Sequence, residues 1–175
     1  MAKEKGLEPL ADLILLQMTK TPLEKEAAAY VSEEKGVNTV KDAIAGAGDI
    51  LAERIAEEAK YRTYIRKVTM DEGTISSEAR DEKTESVYEM YYHYEEPIKK
   101  CAGHRILALN RGEKEKLLTV KITAPEDKIL MYLEKQVIVR DNPVTTPILK
   151  DVITDSYERL IAPAIEREVR NGLTE

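Results

Sequence analysis

The chain has 175 residues, 42% of them hydrophobic and 34% charged, which suits one domain or two small helical lobes with a charged surface. Its net charge of −6 argues against a free-standing electrostatic grip on nucleic acid, because phosphates are bound by clustered Lys and Arg. A single cysteine, Cys101, excludes an internal disulfide. The four-residue apolar run Leu13–Leu16 is too short for a signal peptide or a membrane span, so we expect a cytoplasmic protein.

Residues 1–72 carry apolar side chains at helical spacing. Thr21 and Pro22 are typical of a helix start, and Gly36 is typical of a helix stop. The longest stripe predicts a helix of roughly twenty residues or more. It consists of Val37, Val40, Ile44, Ala47, Leu51, Ile55 and Ala59, with Ile65 and Val68 extending it. Gly46 and Gly48 lie inside this helix, where they indicate either close packing of another helix, which we favour, or a hinge. We predict that residues 1–72 form an N-terminal helical lobe.

Residues 73–175 mix strand-like and helical patterns. Two β-branched stretches, residues 73–77 and 117–123, are strand candidates that can pair into a small ribbon resting on helices. Helical spacing is present between Val87 and Tyr92, before Pro97, and again in residues 126–139 and 148–161. Pro163 is expected to kink or restart the last of these helices. The predicted fold is therefore mainly α, a multi-helix scaffold with at most one small β-ribbon, and residues 73–175 form its central region.

The one possible metal cluster combines His93, Glu95 and Glu96 with the Cys-x-x-His pair Cys101 and His104. This pair has zinc-like spacing, but a closed zinc site needs four ligands and the sequence offers no second cysteine. Ordinary packing and helix capping are the favoured interpretation. A nucleophile elbow and a phosphate-cradling glycine loop are both absent from the sequence. We therefore predict that the chain is not an enzyme, with no catalytic residue, metal or cofactor.

Charge is segregated along the chain. Residues 60–70 contain four basic residues and no acidic ones, and residues 99–121 contain seven basic residues against Glu113 and Glu115. These stretches together carry +9, which leaves −15 for the rest. They indicate a phosphate-facing patch, a docking site for an acidic neighbouring domain, or charges that scatter on folding. The candidate nucleic-acid contacts are Lys60, Arg62, Arg66, Lys67, Lys99, Lys100, Arg105 and Arg111.

Residues 96–113, EPIKKCAGHRILALNRGE, resemble the signature of the Tex family of bacterial transcription accessory factors. Tyr88, Tyr91 and Tyr92 resemble the aromatic residues before that signature, and residues 34–37, 46–53 and 157–169 resemble further family motifs. Gly103 and Gly48 depart from the family pattern, at positions where relatives often carry a small polar residue and an arginine. The residues that we assign to the structural motif are Pro97, His104, Arg105, Arg111, Gly112 and Glu113.

The resemblance implies a long multidomain protein with helix-turn-helix-like N-terminal helices, a RuvC-like domain, helix-hairpin-helix elements and an S1 RNA-binding domain. We expect this chain to be the non-catalytic fragment upstream of the RuvC-like domain, with His104 and Arg105 fixing local structure by capping and pairing. The implied partners are those remaining domains, RNA or DNA bound weakly, and the transcription machinery, but no membrane. The alternative is a helical protein–protein interaction adaptor with no nucleic-acid role of its own.

Overall fold

The computed structural model describes residues 5–174, and it confirms a mainly α fold. The helices are α1 (Glu8–Leu16), α2 (Leu23–Ala28), α3 (Val40–Glu57), α4 (Ala59–Glu72), α5 (Gly103–Lys114), α6 (Glu126–Val137), α7 (Thr146–Asp155) and α8 (Ala162–Thr174). The strands are β1 (Thr74–Ala79), β2 (His93–Pro97) and β3 (Leu118–Thr123). Across residues 5–174, no helix is both long and apolar enough to cross a membrane.

The long apolar stripe forms two helices rather than one. Thr39 caps α3 by accepting a hydrogen bond from the backbone N–H of Asp42 at 3.1 Å. Glu58 takes an extended conformation (φ −70°, ψ 111°) that ends α3, and α4 begins at Ala59. Inside α3, a Cβ added to Gly48 would lie 3.4 Å from the Val152 side chain of α7, which supports close packing at this glycine.

The ribbon is a three-stranded antiparallel sheet with strand order β2-β1-β3. Its third strand, β2, follows a stretch whose spacing from Val87 to Tyr92 predicts a helix; only one helical turn forms there, at Glu89–Tyr91. Tertiary contacts override the local pattern, because the Ser77 hydroxyl donates to the Tyr91 carbonyl at 2.6 Å and the rings of Tyr91 and Tyr94 pack edge to face. The prediction of a helix in this segment is therefore wrong.

Pro163 lies in the first turn of α8, where its missing N–H is tolerated. The preceding residues, Ser156–Ile161, form a π-helical turn. A proline ring in a regular helix collides with the carbonyl four residues earlier, here Arg159, and a wider turn at this point relieves that collision. The sequence left a kink and a restart open at Pro163, and the observed change is a π-helical turn directly before α8.

Close contacts divide the chain into two compact units, each described here by itself. The first unit comprises Met1–Tyr61 and Leu130–Ala162, and the second comprises Arg62–Ile129 and Pro163–Glu175. The first unit has a core of side chains at most 1% exposed, which includes Leu7, Leu10, Ile14, Ile50, Leu51, Leu133, Leu149 and Ile153. The core of the second includes Ile65, Ile75, Ile98, Leu109, Leu118 and Ile129. The predicted domain boundary between residues 72 and 73 concerns independent folding, and it stays a prediction.

Candidate nucleic-acid interface

The centre of the family-like signature is a carboxylate on the inner face of the sheet. Glu96 lies opposite Ile75 of β1, so both side chains lie on the face of the sheet that α5 covers. The Glu96 side chain is 13% exposed, and Oε2 accepts a hydrogen bond from Nη1 of Arg105 at 2.8 Å. The same guanidinium nitrogen lies 3.5 Å from the hydroxyl of Tyr94. The pairing expected of Arg105 is present.

Burial and the contacts around Glu96 shift the pKa values of Glu96, Tyr94 and Cys101. Burial alone raises the pKa of Glu96, but hydrogen bonds from Cys101, Tyr94 and Arg105 and the positive charge of Arg105 lower it below its ordinary value. Burial, followed by the hydrogen bond to Glu96, raises the pKa of Tyr94 to about 12 and that of the Cys101 thiol to about 12. At neutral pH, Cys101 is therefore a protonated thiol, which is a poor nucleophile and a poor metal ligand.

The residues of the possible metal cluster are held by different partners. His93 Nε2 lies 2.5 Å from a carboxylate oxygen of Glu82, while Cys101 lies beside Glu96. His104 is exposed in the first turn of α5. Within residues 5–174, no group of three or more His, Cys, Asp or Glu side chains is placed to hold a metal ion.

The capping role expected for His104 is wrong. Helix α5 begins at Gly103, and its N-cap residue, Ala102, makes no capping hydrogen bond through its side chain. A cap must precede the helix, and His104 lies inside the first turn. The turn before α5 is fixed instead by Pro97, whose φ of −59° opens the short helical turn Ile98–Lys100.

The three residues of the Arg-Gly-Glu end of the signature lie in three different environments. Gly112 is buried, and a Cβ at this position would overlap the side chain of Leu118, so α5 and the start of β3 can approach only over a glycine. Glu113 forms an ion pair with Arg170 of α8, with 2.8 Å between Oε1 and Nη1. Arg170 Nη2 also donates a hydrogen bond to Oδ1 of Asn110 at 2.6 Å. Arg111 is exposed.

The eight basic residues proposed to contact nucleic acid differ in whether they form an ion pair or hydrogen bond within the chain. Arg62 and Arg66 of α4 both contact Glu168 of α8, at 2.6 Å and 3.2 Å, and Arg105 contacts Glu96. Lys60, in the first unit, donates to Gln136 at 3.0 Å. The remaining four lie exposed in the second unit: Lys67, Lys99, Lys100 and Arg111. Glu168 follows Arg62 by 106 residues, a separation at which no local sequence pattern signals the pairing.

Sequence reasoning also missed a polar cleft in the second unit, between α5 and α8. Its volume is about 490 Å³, and its lining residues include Asn110, Glu113, Glu166, Arg167 and Arg170. Glu166 accepts a hydrogen bond from the backbone N–H of Ile122 at 3.3 Å, which covers part of the outer edge of β3. The two arginines in the lining are balanced by two glutamates, so the cleft is not a strongly positive site.

The fold and this cluster define a mainly helical domain with a small antiparallel sheet, in which charged signature residues bind one another. Residues 18–175 match the family described as Tex central region-like. The chain is 52% identical, over its whole length, to "Uncharacterized protein YdcI" of Bacillus subtilis, covering 25% of that protein. It is 30% identical to "Transcriptional accessory protein Tex" of Neisseria gonorrhoeae over 100% of the chain and 24% of that protein. It is also 30% identical to human "S1 RNA-binding domain-containing protein 1", over 99% of the chain and 18% of that protein.

The chain therefore belongs to the Tex family, as the central region that the family description names. It spans a quarter or less of the length of these relatives.

Proposed function

We propose that the chain is a non-catalytic structural module of a nucleic-acid-binding transcription accessory factor. One relative is named a transcriptional accessory protein, and another is named for an S1 RNA-binding domain. The chain matches only part of each relative. We therefore propose that it works together with the RuvC-like, helix-hairpin-helix and S1 domains that the family resemblance implies. Its proposed place is the cytoplasm, and its further partner is the transcription machinery.

The structural role is supported by the ion pairs that charged residues of the signature form within the chain. Glu96 binds Arg105, and Glu113 binds Arg170, so these carboxylates and guanidinium groups hold α5 to β2 and to α8. Cys101 is kept protonated, which removes the one thiol as a nucleophile at neutral pH. Groups that hold each other in fixed contacts stabilise the domain and are not available to a substrate.

The observation that supports weak nucleic-acid binding is the exposure of Lys67, Lys99, Lys100 and Arg111. Fluorescence anisotropy of labelled RNA and duplex DNA at two salt concentrations tests it. We expect affinity no better than about 10⁻⁵ M near physiological salt, the range of non-specific phosphate contacts, and a steep loss as salt rises. Replacing Lys99, Lys100 and Arg111 with Gln should abolish binding. Arg105 is kept, because its loss would leave the carboxylate of Glu96 unpaired.

The matched control replaces three exposed lysines of the first unit, Lys25, Lys41 and Lys150, with Gln, which changes the net charge by the same amount. Binding that falls equally in both variants would show that only overall charge matters. Tight, salt-insensitive and sequence-selective binding would make this chain a reader of sequence and contradict the proposal. Absence of binding at low salt would favour the docking of an acidic domain on the basic stretches.

A second candidate, the protein-interaction adaptor, is favoured by a separate observation. Leu16, Met18 and Val139 of the first unit are large apolar side chains that are 61–69% exposed. Contiguous exposed apolar side chains are typical of interaction surfaces.

A further inference from the structure

Two chain segments in the first unit are fastened together around one buried amide. Helix α1 ends at Leu16, and Gln17 takes the left-handed conformation (φ 58°, ψ 30°) that turns the chain. The Gln17 side chain is inside the fold: Nε2 donates to the carbonyl of Val137 at 2.8 Å, and Oε1 accepts from the N–H of Val139 at 3.0 Å. The residues on either side of Gln17 therefore lie beside the segment after α6.

Asn142 joins the same two segments through the hydrogen bonds of its own side-chain amide. Its Nδ2 donates to the carbonyls of Gln17 and Thr19, at 3.1 Å and 2.9 Å. Its Oδ1 accepts from the N–H groups of Val144 and Thr145, which fixes the turn before α7. The backbone on both sides is thus held in one arrangement, and a surface that is already ordered loses little entropy when it binds a partner.

Apolar side chains project from this fastened backbone into solvent. Leu16 is 64% exposed, Met18 is 61% exposed and Val139 is 69% exposed. Met18 lines one groove with Lys20 and Arg140, and Leu16 and Val139 adjoin Gln17 and Arg140 in sequence. We call these residues the Gln17 patch: Leu16, Met18, Lys20, Val139 and Arg140. Methionine is flexible and polarisable, and it is common on surfaces that adapt to a partner.

The groove has a volume of about 500 Å³ and is lined by residues 17–20 and 140–144, so Met18 is part of its lining. Its lining contains the cations Lys20 and Arg140 against one carboxylate, that of Asp141. This local excess of positive charge occurs in a chain whose net charge is −6. A partner that complements the patch needs apolar side chains for Met18 and Val139 and carboxylates for the two cations.

We propose that the Gln17 patch binds an acidic amphipathic polypeptide segment. Apolar side chains of the segment cover Leu16, Met18 and Val139, and its carboxylates pair with Lys20 and Arg140. This role belongs to the first unit and does not depend on the nucleic-acid proposal, which concerns Lys99, Lys100 and Arg111 of the second unit.

The probe is a short helix-forming peptide of leucine, alanine and glutamate with leucines at helical spacing, titrated into the isotope-labelled chain and followed by amide NMR shifts. We expect saturable shifts at Met18, Lys20, Val139 and Arg140. The double charge reversal Lys20→Glu and Arg140→Glu should weaken binding at least tenfold, because opposed charges become like charges. Met18→Ser should also weaken it without changing the thermal midpoint, because the side chain is 61% exposed.

Lys41→Glu combined with Lys150→Glu is the charge-matched control, since both lysines are exposed in the first unit and neither lines the groove. This control should bind the acidic peptide as the original chain does. The proposal is overturned if the acidic peptide gives no saturable shift, or if the same peptide with lysine in place of glutamate binds equally well. Shifts of the patch amides with protein concentration alone would assign the surface to a second copy, and equal shifts with single-stranded RNA would assign it to nucleic acid.

Discussion

The position of Glu96 in strand β2 explains most of the polar contacts around the signature. Successive residues of a strand point to opposite faces, so Glu96 and Tyr94 face α5 while Glu95 faces solvent. A carboxylate on a covered face is costly unless donors surround it. Arg105 donates to Oε2, whereas Oε1 is buried without a hydrogen-bond partner among the described residues. Glu96 raises the pKa of Arg105, and burial together with Glu96 raises the pKa values of Tyr94 and Cys101.

The alkylation rate of Cys101 tests whether its thiol pKa is raised in this arrangement. With its pKa raised to about 12, the thiol carries little thiolate at pH 8. Alkylation by iodoacetamide should then be about a hundredfold or more slower than for an unperturbed cysteine, whose pKa is about 8.5. Glu96→Gln removes the negative charge that opposes ionisation, so it should lower the pKa and speed the reaction several-fold. The single cysteine makes mass-spectrometric labelling unambiguous.

Glu95→Gln is the matched control for that experiment, because Glu95 has the same charge on the opposite face of β2. It should leave the labelling rate unchanged. A rate for the original chain equal to that of free cysteine, or an equal acceleration by both variants, would show that Glu96 does not control the thiol.

Gly112→Ala tests the close approach of α5 and β3. The added methyl overlaps the side chain of Leu118, so we expect a loss of about 1–3 kcal/mol in the free energy of unfolding, the usual cost of overpacking. Urea denaturation followed by circular dichroism measures it. Gly103→Ala in the same helix is the control, because nothing lies within 4 Å of its added Cβ. That change should be neutral or stabilise by up to about 1 kcal/mol, and similar losses in both variants would contradict the packing explanation.

At the scale of elements, the end of α1 and the connection from α6 to α7 depend on Gln17. Its amide donates to the carbonyls of Leu15 and Val137 and accepts from the N–H groups of Val139 and Arg140. Gln17 is 3% exposed, so water cannot easily replace the amide. The connection is therefore ordered by a side chain that lies 120 residues away from it in sequence.

Gln17→Ala should lower the free energy of unfolding by about 2–3 kcal/mol, because it leaves buried backbone groups without partners. Gln17→Gly removes the same amide but tolerates the left-handed backbone, so it should be about 1 kcal/mol less damaging than Gln17→Ala. Urea denaturation of the two variants separates the contribution of the side chain from that of the backbone. Gln136→Ala is the control at a partly exposed amide, with an expected change within about 0.5 kcal/mol. Equal effects of Gln17→Ala and Gln136→Ala would show that the buried contacts contribute little.

At the scale of the whole chain, charge is distributed between internal pairs and solvent. Arg62 and Arg66 share Glu168, and Arg159 pairs with Asp155, so part of the positive charge is neutralised locally. Half-exposed pairs of this kind contribute at most about 1 kcal/mol each. Their larger effect is on binding, since a paired guanidinium must lose its carboxylate before it contacts a phosphate. Lys99, Lys100 and Arg111 are therefore the residues whose replacement should change nucleic-acid binding most.

Local signals in the sequence, namely apolar periodicity and residues 96–113, predict the class of fold, the family and most of the helices. They also locate β1 and β3, whose β-branched alternation is local as well. The predicted break near Pro163 rests on the same kind of signal, the chemistry of one residue.

Which residues of the candidate site act together depends on contacts between distant parts of the chain. Strand β2 pairs with β1 directly after a stretch, Val87 to Tyr92, whose apolar spacing is helical. Arg105 and Arg111 look equivalent in sequence, yet Arg105 is bound to Glu96 while Arg111 is exposed. The role of Gln17 likewise depends on a segment more than a hundred residues distant. Such contacts form between residues that share no local pattern, so they depend on the packing of the folded chain.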